Sequence, residues 1–261
     1  MNTELELTKS NRLKIANVFR AVKRVDTSID CVIEGQMGKV IVDDLITPSV
    51  FCIRVGPFFY YAGEADNTNG RKLMQQFPEY HLLMPSAKGW LELAQEIFNE
   101  DLKSFPRYSF SPETLSEDHL TSILRHSPFM ESTLPLNQSL VQQAVELPDS
   151  YLDLSDFDSI PDFLERGFGY TILDNGKMMG IAYTSLVCSR GIEVSVFIDE
   201  PYRKQGAATA MCCRLLLESL SKGLVPNWDA ANEESVKLAE KLGYRYLDSY
   251  DCYYYANRSS T

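Results

Sequence analysis

Residues Pro201-Tyr-Arg-Lys-Gln-Gly-Ala-Ala-Thr209 stand between two segments of different periodicity. Ile192-Glu-Val-Ser-Val-Phe-Ile198, rich in β-branched and aromatic residues, enters them, and an apolar-periodic run from Ala207 to Leu220 leaves them. The pattern predicts strand, tight turn, helix. A turn of small residues at a helix N-terminus exposes main-chain N–H groups and the positive end of the helix dipole, and the two together hold an anion. Gly206 lets the backbone approach such an anion, Ala207 and Ala208 raise no steric wall, and Arg203 and Lys204 add cationic donors. The reading is a phosphate cradle built mainly from main chain. A dinucleotide fingerprint would need Gly-x-Gly-x-x-Gly, and a P-loop would end in Gly-Lys-Ser/Thr; this stretch has neither.

The flanks extend the pattern. Upstream, Gly169 to Ser185 reads as a β-hairpin around Asn175-Gly176, whose two residues tolerate the positive φ of a type I′ turn. A strand from Met178 to Cys188 then turns at Ser189-Arg190-Gly191 and runs back as Ile192 to Ile198. Downstream, Gly223 is a helix stop, Leu224 to Asp229 a short strand, and Asn232 to Gly243 a helix with Val236, Ala239 and Leu242 on one face. The alternating aromatic segment Tyr244 to Tyr255 closes the chain as a strand.

Arg203-x-x-Gly206-x-Ala208 resembles the acyl-CoA pyrophosphate loop of the GNAT superfamily of N-acetyltransferases. Asn232-x-x-Ser235, followed by Lys241-Leu-Gly-Tyr244, is similar to that family's second cofactor motif, and the string around Trp228 looks most like a bacterial subgroup that includes zwittermicin-resistance acetyltransferases. The resemblance covers roughly residues 130 to 255. It implies an α/β (α+β) fold, with a mixed, largely antiparallel sheet flanked by helices and a smaller N-terminal α/β domain. The expected division is 1–128 for the N-terminal domain, of unassigned role, and 129–261 for the acetyltransferase domain.

At 261 residues, with 44% hydrophobic and 23% charged residues, the chain has the composition of a soluble globular protein with an ample core. No apolar run approaches the roughly 18–20 residues that span a bilayer. Met1-Asn-Thr-Glu-Leu-Glu-Leu7 lacks a basic region leading into an apolar one, so secretion is not expected. Six cysteines and three histidines show no metal-ligand spacing, which points to free thiols in a reducing cytoplasm and to no metal site. A net charge of −11 argues against nucleic acid and anionic membranes as main partners and is compatible with a cationic amine.

The N-terminal half is less explicit. Thr8 to Val25 has near-helical apolar spacing; Ser28 to Glu34, Lys39 to Val42 and Val50 to Val55 read as β-like runs, with Gly35 and Gly38 bracketing a hairpin turn. Phe58-Phe-Tyr-Tyr61 reads as a core or inter-domain strand, with a substrate-facing wall as the alternative. Arg71 to Phe77 and Ser116 to Leu124 read as short helices and His81 to Met84 as a buried strand. A helix is expected from Ser86 to about Phe105, with Pro106 to Thr114 and Pro128 to Pro135 as connections. Nothing in this half shows chemistry of its own.

The resemblance assigns roles. Val196, Phe197 and Ile198 offer backbone groups to the pantetheine arm of acetyl-CoA; Arg203, Lys204, Gln205, Gly206, Ala207 and Ala208 hold its pyrophosphate, with Thr209 at the rim. Glu193, on the entering strand beside Val194 and Val196, is the general-base candidate, with a carboxyl pKa raised by burial; a solvent-facing strand residue is the alternative. Asn232 contacts the cofactor, caps its helix, or does both, and Ser235, one turn on, meets the thioester end. Many relatives carry a tyrosine where this chain has Ala239, so the thiolate's proton is left to Ser235, to Tyr253 or Tyr255, or to water. Trp228 reads as core packing, with shaping of the acceptor pocket as the alternative, and Asp229 as a turn cap or a contact for a cationic acceptor. The implied reaction is acetyl transfer to a primary amine of a small molecule. A peptide N-terminus as acceptor and a non-catalytic acyl-CoA sensor stay open, as does the oligomeric state.

Overall fold

The computed structural model describes residues 2–147 and 151–256. It forms two compact units, 1–107 with 249–261, and 108–248. In the first lie β1 (Thr3–Glu4), α1 (Lys9–Val18), α2 (Ser28–Ile33), β2 (Lys39–Val42), β3 (Val50–Val55), β4 (Phe58–Gly63), α3 (Thr68–Met74), β5 (Leu82–Leu83) and α4 (Trp90–Phe98). Strand β6 (Leu102–Ser111) carries the chain into the second unit. There follow α5 (Glu117–Arg125), β7 (Thr133–Pro135), α6 (Gln138–Glu146), α7 (Ile160–Arg166), β8 (Gly169–Asp174), β9 (Lys177–Cys188), β10 (Gly191–Ile198), α8 (Ala207–Ser221), β11 (Val225–Asn227), β12 (Asp229–Ala230) and α9 (Glu233–Leu242). Strand β13 (Arg245–Tyr255) returns to the first unit. No helix among the described residues is long and apolar enough to cross a membrane, and the six cysteines are free and buried.

The first unit is built on the order β1-β2-β3-β4-β5-β13, in which only β4–β5 is parallel. Its core stacks Tyr61 on Trp90, with ring centroids 4.9 Å apart, and Phe98 on Tyr255 at 4.3 Å. Phe58 to Tyr61 is therefore a core strand. Several expectations fail here. Ser28 to Ile33 is a helix: the Asp26 carboxylate accepts the Ser28 N–H at 2.8 Å, and four of the six residues are buried, so its apolar run belongs to an inward-facing helix. Consequently Gly35 and Gly38 shape a helix-to-strand turn instead of a hairpin. The helix from Trp90 stops at Phe98, where Asn99 turns to φ +47°, and residues 102–111, Pro106 included, form a strand. Helix α1 also ends early, at Val18; just beyond it, the Arg24 guanidinium donates to the Phe19 and Val22 carbonyls at 2.7 and 3.0 Å.

The second unit holds the five-stranded order β11-β10-β9-β8-β7, antiparallel except for β10–β11. Asn175 and Gly176, at φ +49° and +83°, make the hairpin turn between β8 and β9. Helix α8 packs one face of this sheet, burying Ala210, Met211, Leu215 and Leu216 with Ile172 and Ala182. The compact units divide at 107/108 and not at 128/129. Leu120 and Leu124 of α5 are buried in the same cluster as Met211 and Leu216, which ties α5 to the second unit.

Candidate active site

Strand β10 is paired differently along its two halves. Gly191 to Glu193 lie parallel to Val225 to Asn227 of β11, but from Val194 to Ile198 β10 pairs only with β9 among the described residues. The change falls at a bulge: Glu193 faces Leu186 and Val194 faces Thr184, so Ser185 is the extra residue, and its hydroxyl donates to the Glu193 carbonyl at 3.2 Å. One edge of β10 is thus left as a row of main-chain groups beside the point where β11 stops. An extended amide-bearing chain could add there as a strand does.

Alternation divides the β10 side chains between the two sheet faces. Val194, Val196 and Ile198 pack toward the α8 core, whereas the Phe197 ring meets Tyr151 at 4.3 Å and Ser195 hydrogen-bonds Tyr183. Glu193 has the parity of Ser195 and Phe197 and is buried, 7% exposed. Its charge also bears on Tyr244, whose hydroxyl donates to the Pro226 carbonyl at 3.0 Å; burial first, then Cys212 and Glu193, push that phenol well above its usual pKa.

The loop leaving β10 is pinned from behind. Asp199 accepts the Glu200 N–H at 2.9 Å and pairs with Lys177 at the start of β9 at 2.9 Å, and the Lys177 bond holds its carboxyl below the ordinary range. Arg203 folds back, Nε donating to the Ile198 carbonyl at 3.3 Å, and Gln205 does the same to Pro201 at 3.0 Å. These two side chains shape the loop, and Lys204 stands exposed at φ +60°. Gly206, at φ +93°, caps α8 with no side-chain acceptor, and a Cβ built on it meets nothing within 4 Å. Ala210 N–H is the first to find a helical carbonyl, that of Gly206. The amides of Ala207, Ala208 and Thr209 therefore point out of a 15-residue helix at its positive end, with open space before the cap. This donor set, together with the open β10 edge, fits a coenzyme that carries an amide arm and a diphosphate.

Helix α9 brings the remaining candidates. Asn232 is its N-cap, accepting Ser235 N–H at 2.9 Å, and Ser235 Oγ accepts the indole N–H of the buried Trp228 at 3.1 Å. Since Asn227 lies in register with Glu193, the Trp228–Ser235 bond joins α9 to the strand end beside the bulge. Ser235 keeps its own hydroxyl proton to give. Ala239 is fully buried, and Tyr253 and Tyr255 belong to the first unit, where they pack on its core. At the far end of α9, Lys241 donates to Thr209 Oγ1 at 3.2 Å. The motif reading missed this contact, along with the Tyr151–Phe197 and Tyr183–Ser195 pairs. Their partners come from segments distant in sequence, and only the bulge beside Glu193 hints at a special site.

The chain can be set against known proteins. It is 22% identical over 265 residues to the uncharacterized N-acetyltransferase YdfB of Bacillus subtilis (strain 168), covering 97% of this chain and 99% of that one. The crystal structure of a GCN5-related N-acetyltransferase-like protein from Streptococcus suis 89/1591 superposes with a TM-score of 0.83 at 29% identity, over 95% of this chain and 99% of the other. A shorter likeness, 29% over 83 residues and 31% of this chain, links it to 56% of the ribosomal protein bS18 alanine N-acetyltransferase of Escherichia coli (strain K12). The model of the family described as GNAT acetyltransferase matches residues 19–253, which extends the likeness well into the N-terminal half. With that span and this fold, the chain belongs to the GNAT acetyltransferase family and is an acetyltransferase of the transferase class.

Proposed function

We propose that this protein transfers the acetyl group of acetyl-CoA directly to a primary amine of a small molecule. The observation that carries the reading is the open edge of β10 running straight into the uncapped amides of Ala207 to Thr209, with Glu193 buried at the bulge beside that edge. The coenzyme supplies an acetyl thioester. Val196, Phe197 and Ile198 offer main-chain groups to its arm, and the turn from Arg203 to Ala208 offers N–H donors to its diphosphate. Asn232 holds the start of α9, and with it Ser235, in place.

Glu193 takes the amine proton, directly or through one water, as the nitrogen–carbon bond forms. The carbon–sulfur bond then breaks and the departing thiolate takes a proton from water, either directly or through Ser235, whose hydroxyl the same water restores. Ser235 can give one because its oxygen already accepts from Trp228 while its O–H remains available. The lack of a tyrosine at Ala239 is met in this way.

A small acceptor is favoured by what covers the Glu193 face of the sheet. Tyr151, Leu152, Phe157 and Phe163 are buried; Tyr151 lies on Phe197 and Phe163 lies 6.4 Å from Tyr183, ring to ring. The Asp153 N–H donates to the Tyr183 hydroxyl at 3.2 Å. A covered face supports a compact amine, as in the zwittermicin-resistance subgroup that the Trp228 string resembles, over a peptide laid across the strands. The likeness to the bS18 alanine acetyltransferase keeps the peptide N-terminus as the second reading.

Free thiol release from acetyl-CoA tests this against a panel of small primary amines and N-terminal-alanine peptides. The panel should give amine-dependent turnover fastest with small amines. Glu193→Gln should lower kcat roughly 10²–10³-fold with coenzyme Kd unchanged. Turnover with peptides alone would move the acceptor to the second reading. Tight coenzyme binding with no turnover on any amine would make the protein a sensor.

A further inference from the structure

We propose that Lys241 is a coenzyme-positioning residue, which holds the Thr209 hydroxyl as a donor toward the diphosphate and adds its charge to that site. The proposal rests on the coenzyme reading above. Thr209 is the third residue of α8, 7% exposed, and its Oγ1 accepts from Lys241 Nζ at 3.2 Å. No other hydrogen bond is described for either side chain, and no ion pair is described for Lys241. A hydroxyl that accepts from an ammonium has its own proton left to give, and Thr209 belongs to the same first turn as Ala207 and Ala208, ahead of the first helical hydrogen bond at Ala210.

The backbone of Lys241 is fixed independently of any ligand. His119 of α5 bonds the Lys241 carbonyl through Nε2 at 3.0 Å, and Thr114 donates to the Gly243 carbonyl at 2.7 Å. Lys241 also acts on Cys213, one turn beyond Thr209, partly countering the burial that drives its thiol up to about 12. The ammonium thus lies along the first turns of α8. The last turn of α9 favours a cation, but the N-terminus of α8 repels the ammonium, and holding a lysine side chain there costs rotamer freedom. No carboxylate among the described residues pairs with it. A bound phosphate would reverse the sign of the interaction, since it would meet an ammonium, a hydroxyl and three amides together.

Calorimetric titration of the full chain with coenzyme A, and separately with 3′-dephospho-coenzyme A, tests the assignment. Lys241→Met should raise both Kd values roughly fivefold to twentyfold and flatten their dependence on salt, with the melting temperature unchanged. Lys241→Arg should keep most of the affinity. Thr209→Val should weaken binding by a similar factor, and the double variant should lose far less than the product of the two losses, because both residues act on one donor. Wild-type affinity in Lys241→Met, independent multiplying losses, or a loss seen only when the 3′-phosphate is present would each overturn the proposal. If the unaltered chain binds neither compound, the coenzyme reading falls first and takes this one with it.

Discussion

A Cβ on Gly206 would meet open space, yet the residue sits at φ +93°, so the demand for glycine comes from the backbone and not from neighbouring atoms. This conformational demand adds to the close approach of an anion that the loop sequence suggests. Residues that tolerate the left-handed region should do comparatively well there. Gly206→Val is expected to cost about 1–2 kcal/mol of stability and to raise coenzyme Kd tenfold or more, with Gly206→Asn losing less than half as much on both counts. Thermal melts and titration calorimetry on the two variants check this; equal losses would return the explanation to sterics. The strand position of Glu193, the helix cap at Asn232 and the turn at Gly206 were legible because each has its own local grammar. Lys241 was not, because a lysine in the last turn of a helix reads as an ordinary favourable charge at a helix C-terminus. Its partner, Thr209, lies 32 positions away.

Elements were readable wherever period and punctuation agreed. Asn175-Gly176, Gly223 and Gly243 all take positive φ, and the elements they bound, β8 with β9, α8, and α9, lie where the pattern put them. Reading failed where the period was ambiguous or the punctuation misled. Helix α2 shows an apolar run that suits a strand equally well, and β6 contains a proline that signals a connection. Helix α9 offers the sharpest test at this scale, since two bonds fix its start. Asn232→Ala should cost about 1 kcal/mol by removing the cap. Ser235→Ala should cost about 1–3 kcal/mol by leaving the indole N–H of buried Trp228 without an acceptor. Urea unfolding measures both. A Ser235→Ala variant as stable as its parent would mean that the Trp228–Ser235 bond does not hold the element.

For the molecule as a whole, pH dependence of stability should carry the mark of one buried carboxyl. Asp26 accepts from Tyr60 at 2.8 Å and from the Ser28 N–H, yet burial outweighs these bonds and the charge of Arg107 and raises its pKa above 3.8. The folded chain therefore keeps this proton at pH values where the unfolded chain has lost it. Its contribution is fully present below the unfolded value and is lost as pH rises through the folded one. Asp26→Asn should flatten the fall in melting temperature across that window and leave the variant at least as stable as its parent at pH 7. Melts from pH 3 to 8 decide the matter, and an unchanged slope would place the titration elsewhere.

Strand β13 gives the first unit its last strand: Tyr255 stacks on Phe98, and Cys252 is buried with its thiol toward the Leu83 carbonyl. The core assembled from residues before 108 is therefore closed by residues after 248. On the ribosome, residues before 108 must wait for those after 248 before their hydrophobic interior can be sealed, whereas every residue of the second unit has been added by then. Birth order and completion order are inverted in this protein. A nascent chain stalled short of Ser249 should expose the β5 edge and the Phe98 ring to chaperones.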